Sequence, residues 1–243
     1  MRIGLGPVAL TGASRAQLDA LAKAAVDASF DSIWVAESRA EGVGGGLAAA
    51  ALLAQMVPIR VGAVLDFGGY HPLYMAEDIA VADLTSRGRV EVLLRGGTAE
   101  QLNLLLAALG GSHLRFDGES LRVPARLAAN QPTPERLALN PRPAQPVVPL
   151  WVEDPDVDVA QDLGVGAATR WRPGLNAPAA SGRWPGMMLC PHDVTAEDLL
   201  AAADHASAYF LIEAGTASEA ESTGRRLVGP LRMPSFPEWI NWQ

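Results

Sequence analysis

A repeated alternation constrains this chain more than any other feature. Short apolar or β-branched runs take turns with longer Ala/Leu-rich runs of helical spacing. Arg2 to Leu5, Ser32 to Ala36, Ile59 to Leu65, Val90 to Leu94, Val147 to Val152, Gly166 to Thr169, Met187 to Cys190 and Tyr209 to Glu213 read as strands. Ser14 to Ala28, Leu47 to Met56, Pro72 to Thr85, Thr98 to Leu109, Val157 to Leu163, Thr195 to Ala206 and Ala217 to Leu227 read as helices. Ser14 has N-cap chemistry, and Pro72 falls early in its helix, where a missing N–H costs little. Strands that alternate with helices pair in parallel through right-handed crossovers. The expected fold class is therefore α/β: a compact (β/α)8 TIM barrel, with residues 1–243 as a single domain. An open doubly wound sheet would share the alternation. The rhythm breaks between Gly110 and Pro146, which holds six prolines and no long periodic run. That stretch is expected to be a lid-like excursion after strand four, with a small hairpin turning at Asp117-Gly118.

Composition narrows the function. The formal net charge is -8, and no run of Lys/Arg offers a surface to nucleic acid or anionic lipid. No stretch of about 18 apolar residues predicts a membrane span. Cys190 stands alone and His71, His113, His192 and His205 show no ligand spacing, so no metal site is expected. A lone thiol suits a reducing, cytoplasmic compartment, and Met1 to Leu10 begins as a strand rather than as a signal segment. The partner expected is a small-molecule substrate.

Barrel chemistry sits where the strands end at their C-termini. Arg95-Gly96-Gly97, between a strand and a helix, has the character of an anion site. Glycines let backbone N–H groups approach, the helix N-terminus favours negative charge, and arginine can pair with phosphate in bidentate fashion. A plain tight turn is the alternative. His192 with Asp193 follows the seventh strand and could serve as an oriented acid–base pair, with Asp193 in the next helix's cap region as the other reading. Cys190 is expected in the core and His71 as a cap. Glu77 and Asp83 are expected to form a structural ion pair or cap, with Arg87 or Arg89 as partner. Trp34, Trp151 and Trp171 could wall a cavity for a planar ring or simply fill the core.

Several segments, in order, resemble the bacterial-luciferase-like monooxygenases. Phe30-Asp31-Ser32-Ile33-Trp34-Val35-Ala36-Glu37 is similar to the family's second strand, and Ile59 to Val64 to its third. His71-Pro72-Leu73, Ala76-Glu77-Asp78, Ala80, Asp83-Leu84 and Ser86-Arg87-Gly88-Arg89 resemble the helix and turn that follow. Phe116 to Glu119, and Pro141 to Pro146 with Pro149 to Val152, match two further family segments. The resemblance covers residues 1 to about 152. It implies a TIM barrel with a flavin-type cofactor, reduced FMN or coenzyme F420, at the strand C-termini. Val64, Leu65 and Asp66 would lie near the isoalloxazine edge, with Arg95, Gly96 and Gly97 in the cofactor-binding loop after strand four. The implied activity is a flavin- or F420-dependent oxidoreductase or monooxygenase on a small organic substrate, in a homodimer joined through helices near the second and third strands. The chain departs from the pattern at the strand ends. Ser38 and Arg39 stand where the family carries a histidine, Leu93 and Arg95 replace two glycines, and Glu153, Asp154 and Asp156 follow strand five. Those acids are expected to repel a phosphate. The alternative is thus a catalytically degenerate barrel acting as a flavin-binding or non-catalytic partner protein.

Overall fold

A computed structural model describes residues 1–9, 13–36, 45–68, 70–111, 113–124, 136–137, 140–154, 157–180, 184–203 and 208–232. The strands are β1 (Arg2–Ala9), β2 (Ser32–Ala36), β3 (Arg60–Asp66), β4 (Val90–Arg95), the hairpin pair β5 (Phe116–Asp117) and β6 (Arg122–Val123), β7 (Leu150–Glu153), β8 (Gly166–Arg170), β9 (Gly186–Cys190) and β10 (Ala208–Ile212). The helices are α1 (Arg15–Asp27), α2 (Gly45–Met56), α3 (Pro72–Thr85), α4 (Ala99–Gly110), α5 (Val157–Leu163), α6 (Ala196–Ala203), α7 (Ala217–Thr223) and α8 (Gly229–Arg232). A π-helical turn, Gly224–Val228, joins the last two.

Eight strands close into a parallel barrel in the order β1-β10-β9-β8-β7-β4-β3-β2, which excludes the open sheet. The helix starts follow the expected chemistry. Ser14 and Thr98 each cap through a reciprocal pair with the glutamine three residues on. His71 accepts the Leu73 amide at 3.3 Å, as its place before Pro72 suggested. β1 runs on to Ala9, through Pro7, beyond the Leu5 expected. β5 and β6 form the expected hairpin, and Glu100 at the start of α4 accepts the amides of Ser120 and Leu121 from it. Those amides hold the Glu100 carboxyl below its ordinary pKa. Asp83 does not pair with Arg87 or Arg89. It accepts the Gln145 backbone and side-chain amides at 2.8 and 2.7 Å, while Arg89 donates to the carbonyls of Ala54, Val57 and Ile59.

Side chains alternate between two cores. Outward residues of the strands pack under the helices. The inward set, Trp34, Val64, Leu93, Trp151, Ala168, Met187, Leu189, Tyr209 and Leu211, fills the barrel axis. Trp34, Trp151 and Tyr209 meet edge to face, with centroids 5.6 to 6.1 Å apart. Facing glycines make room for them: a Cβ at Gly62 would overlap the Trp34 indole, and one at Gly166 the Trp151 indole. The axis is a packed core rather than a pore.

Candidate active site

The strand C-termini gather Ala36, Asp66, Arg95, Glu153, Arg170 and Cys190 around one mouth. Val64 faces the axis beneath them. Leu65 points the other way, into the core under the helices, so only its backbone borders the mouth. Asp66 is half-buried at the end of β3, in register with Arg95.

Arg95 ends β4, and the chain then turns through Gly96 at φ +72° and Gly97 at φ +93°. Such angles favour glycine. A Cβ at Gly96 would meet nothing within 4 Å, while one at Gly97 would press on the Phe67 ring at 2.9 Å. Gly96 therefore leaves open space at the mouth, and Gly97 allows Phe67 to seat against the turn. The following helix offers an anion less than its position suggests. Thr98 already accepts the Gln101 amide at 3.2 Å, and Glu100 brings negative charge into the first turn.

Glu153, at the end of β7, does not confront a ligand as a bare charge. Its Oε2 accepts from Arg95 Nε at 2.5 Å and its Oε1 from Arg170 Nε at 2.9 Å. Its side chain is 9% exposed, against 29% for Arg95 and 55% for Arg170. The repulsion expected from Glu153 is thereby cancelled by two cations. Asp154 accepts from Thr169 Oγ1 at 2.9 Å. The bridge by which Glu153 joins Arg95 to Arg170 is what sequence reasoning missed. Arg170 was visible only as one basic residue at a strand end, and pairing between separate strands has no local signature.

His192 and Asp193 are both exposed on the turn after β9, and no hydrogen bond joins them. The His192 carbonyl accepts from Arg226. The acid that feels the His192 ring is Glu219 of α7, whose carboxyl is lowered chiefly by the Gly215 and Thr216 amides, with His192 adding to the shift. Cys190 is buried, and burial pushes its thiol far up, so it is no nucleophile. Trp151 donates Nε1 to the Pro185 carbonyl, and Trp184 lies on its ring at 5.9 Å, carrying the aromatic column toward the strand N-termini, away from the mouth. Trp171 is half-buried against the outer core. Among the described residues, no cluster of His, Cys, Asp and Glu could hold a metal ion, and no helix is long and apolar enough to cross a membrane. Ser38, Arg39, Asp156, His205 and the Met233–Gln243 segment lie outside the described residues.

No family model matches the chain, and no curated protein matches it in sequence. Solved structures do match. Monooxygenase RslO1 from Streptomyces bottropensis is similar at 14% identity and a TM-score of 0.65, over 98% of this chain and 100% of that one. The coenzyme F420-dependent tetrahydromethanopterin reductase from Methanopyrus kandleri is similar at 12% identity and a TM-score of 0.67, over 96% and 99%. What these proteins share with the chain is the closed parallel (β/α)8 barrel fold. The oxygenating constituent of 3,6-diketocamphane monooxygenase from Pseudomonas putida, solved with FMN, shares it at 16% identity and a TM-score of 0.52, over 70% of this chain and 57% of that one. Identities this low speak to the barrel fold alone, and the chemistry follows from the residues at the mouth.

Proposed function

We propose that the chain is a flavin- or F420-dependent oxidoreductase acting on a small organic substrate, with reduced FMN as the first candidate cofactor. The observation that carries this is the Arg95-Gly96-Gly97 turn, open at Gly96, at the mouth of a luciferase-like barrel. The similar proteins solved as an F420-dependent enzyme and with FMN bound support the cofactor class. The residues present suit such a group. Arg95 offers a guanidinium to a phosphate, Gly96 leaves room beside it, and Val64 and Asp66 would border the ring. When bound, the cofactor would supply hydride transfer or oxygen activation. The packed axis below closes the site to water from beneath. His192, exposed at the rim with Asp193 next to it in the chain, is the group proposed to take or give a proton.

A second reading, a barrel that has lost catalysis and serves as a partner protein, is favoured by one observation. Leu93 fills the axis below Arg95, where the luciferase-like pattern carries a glycine. Titration with FMN, FMNH2 and F420, followed by absorbance and fluorescence, tests cofactor binding, and turnover of the bound reduced cofactor separates an enzyme from a barrel that only binds flavin. Saturable binding that weakens in Arg95→Ala supports the first reading, and no binding at high micromolar concentration contradicts it.

We also propose a homodimer through α2 and α3. Leu52 is 61% exposed, and Met56, Val81 and Leu84 lie exposed on the same two helices. A groove between the helices is lined by Ala48, Leu52, Val81 and Thr85. Leu52→Glu is expected to give a monomer by light scattering.

A further inference from the structure

Arg95 and Arg170 reach the same carboxylate from opposite sides, one from β4 and one from β8, with β7 between them. A guanidinium carries five N–H donors. Each of these arginines gives Glu153 its Nε hydrogen and, among the described residues, has no other hydrogen-bond or ion-pair partner. The two guanidiniums share one carboxylate, with the half-buried Asp66 on the neighbouring end of β3 as a second acid at the mouth. The outer, amino ends of both forks are unspent. Register places Glu153 beside Ala168, so Arg170 stands two residues further up its strand, nearer solvent than Glu153. An anion arriving from the mouth would meet both arginines with Glu153 behind them.

The opposite end of the barrel shows what a purely structural version looks like. There Glu91 bridges Arg2 and Arg60, and Arg60 spends a further donor on Gln145 at 2.9 Å. The Arg2 guanidinium lies over the Tyr209 ring at 4.2 Å, and Tyr209 gives its hydroxyl proton to Glu91. Among the described residues, neither Arg95 nor Arg170 has a further hydrogen-bond or ion-pair partner of that kind at the mouth.

We infer that Arg95 and Arg170, splayed and held by Glu153, form an oxyanion clamp at the barrel mouth. A second anion completes an alternating quartet of two guanidiniums and two oxyanions, the arrangement that charge-assisted forks favour. The chemistry is shared by a cofactor phosphate and a substrate carboxylate. The inference rests on the proposed function for the site it completes, and it adds Arg170 and Glu153 to that site.

The test measures affinities of FMN, riboflavin and benzoate for the wild type, Arg95→Gln, Arg170→Gln and the control Arg172→Gln, with melting curves to verify folding. Both clamp variants should weaken the true ligand about tenfold, as loss of a charge-assisted contact does, and the control should not. Weaker FMN with unchanged riboflavin identifies a phosphate. Unchanged flavins with weaker benzoate identify a carboxylate. Wild-type affinity for both FMN and benzoate in Arg170→Gln overturns the clamp, even where flavin still binds. Failure of either probe to bind the wild type overturns the clamp only if the other fails too. Benzoate binding without any flavin binding would instead sink the cofactor reading and keep the clamp. If Arg170→Gln does not fold, Arg170→Lys, which keeps the charge and loses the fork, takes its place.

Discussion

Glu91 near the strand N-termini and Glu153 at the mouth are each gripped by two arginines, yet almost everything around the two clusters differs. Glu91 is fully buried. Its two oxygens receive Arg2 at 2.8 Å, Arg60 at 2.5 Å and the Tyr209 hydroxyl at 2.8 Å. Ser32 Oγ lies 2.5 Å from that hydroxyl, and Trp34 Nε1 donates to both. The network ties β1, β2, β3, β4 and β10 together across the seam where the barrel closes. Glu153 has two partners among the described residues, and it is these arginines that reach solvent. A buried charge whose partners are complete acts as a structural tie, whereas a cluster with unspent donors at an open mouth keeps capacity for a ligand.

The comparison breaks most visibly at Glu91. Glu91→Gln leaves two arginines against a neutral amide, and breaking a buried pair of this kind costs about 3–5 kcal/mol. Urea unfolding should show a loss of that order, and a loss under about 1 kcal/mol would mean that the cluster is no tie.

Tyr209 sharpens the same point through pH. Burial first, and then the Glu91 charge, raise its hydroxyl well above the ordinary tyrosine value. The folded chain therefore holds this proton where the unfolded chain releases it. The stabilisation is complete below pH about 10, the unfolded value, and is lost as pH rises beyond it. Tyr209→Phe should cost about 1–2 kcal/mol at pH 8 by removing the hydrogen bond to Glu91, with the gap to wild type narrowing toward pH 11. Unfolding free energies measured across that range check both parts.

Glu153→Gln gives the smallest expected effect, about 1 kcal/mol or less, because both arginines keep access to water. A cost equal to that of Glu91→Gln would erase the distinction between the clusters.

The sequence made the barrel legible because strand and helix periods are local. Pro72–Thr85 came out with the same bounds in the structure, and the expected hairpin formed, although Asp117 pairs with Arg122 and the turn falls at Gly118–Leu121 rather than at Asp117-Gly118. The end of the last helical stretch was less legible. A π-helical turn at Gly224–Val228 and α8 carry it to Arg232, past the expected stop at Leu227. The open turn at Arg95-Gly96-Gly97 was readable from its glycines. The charge balance around it was not. Glu153 reads as a repulsive acid in sequence, and its partner Arg170 comes from a neighbouring strand 17 residues away. Asp83 was misassigned for the same reason, since Gln145 reaches it from 62 residues away. Leu65 differs in kind: strand alternation alone was enough to turn it outward, away from the mouth.

The most direct test of the central claim, that the barrel mouth takes a flavin-type cofactor, is a melting-temperature comparison. Wild type and Ala36→Trp, which would fill the mouth beside the axis, are each heated with and without FMN or F420 at about 1 mM, where a bound ligand stabilises the native state by mass action. The account predicts that one of the two cofactors raises the wild-type midpoint by several degrees and leaves Ala36→Trp unmoved. No shift in wild type with either cofactor, or an equal shift in both proteins, would contradict it.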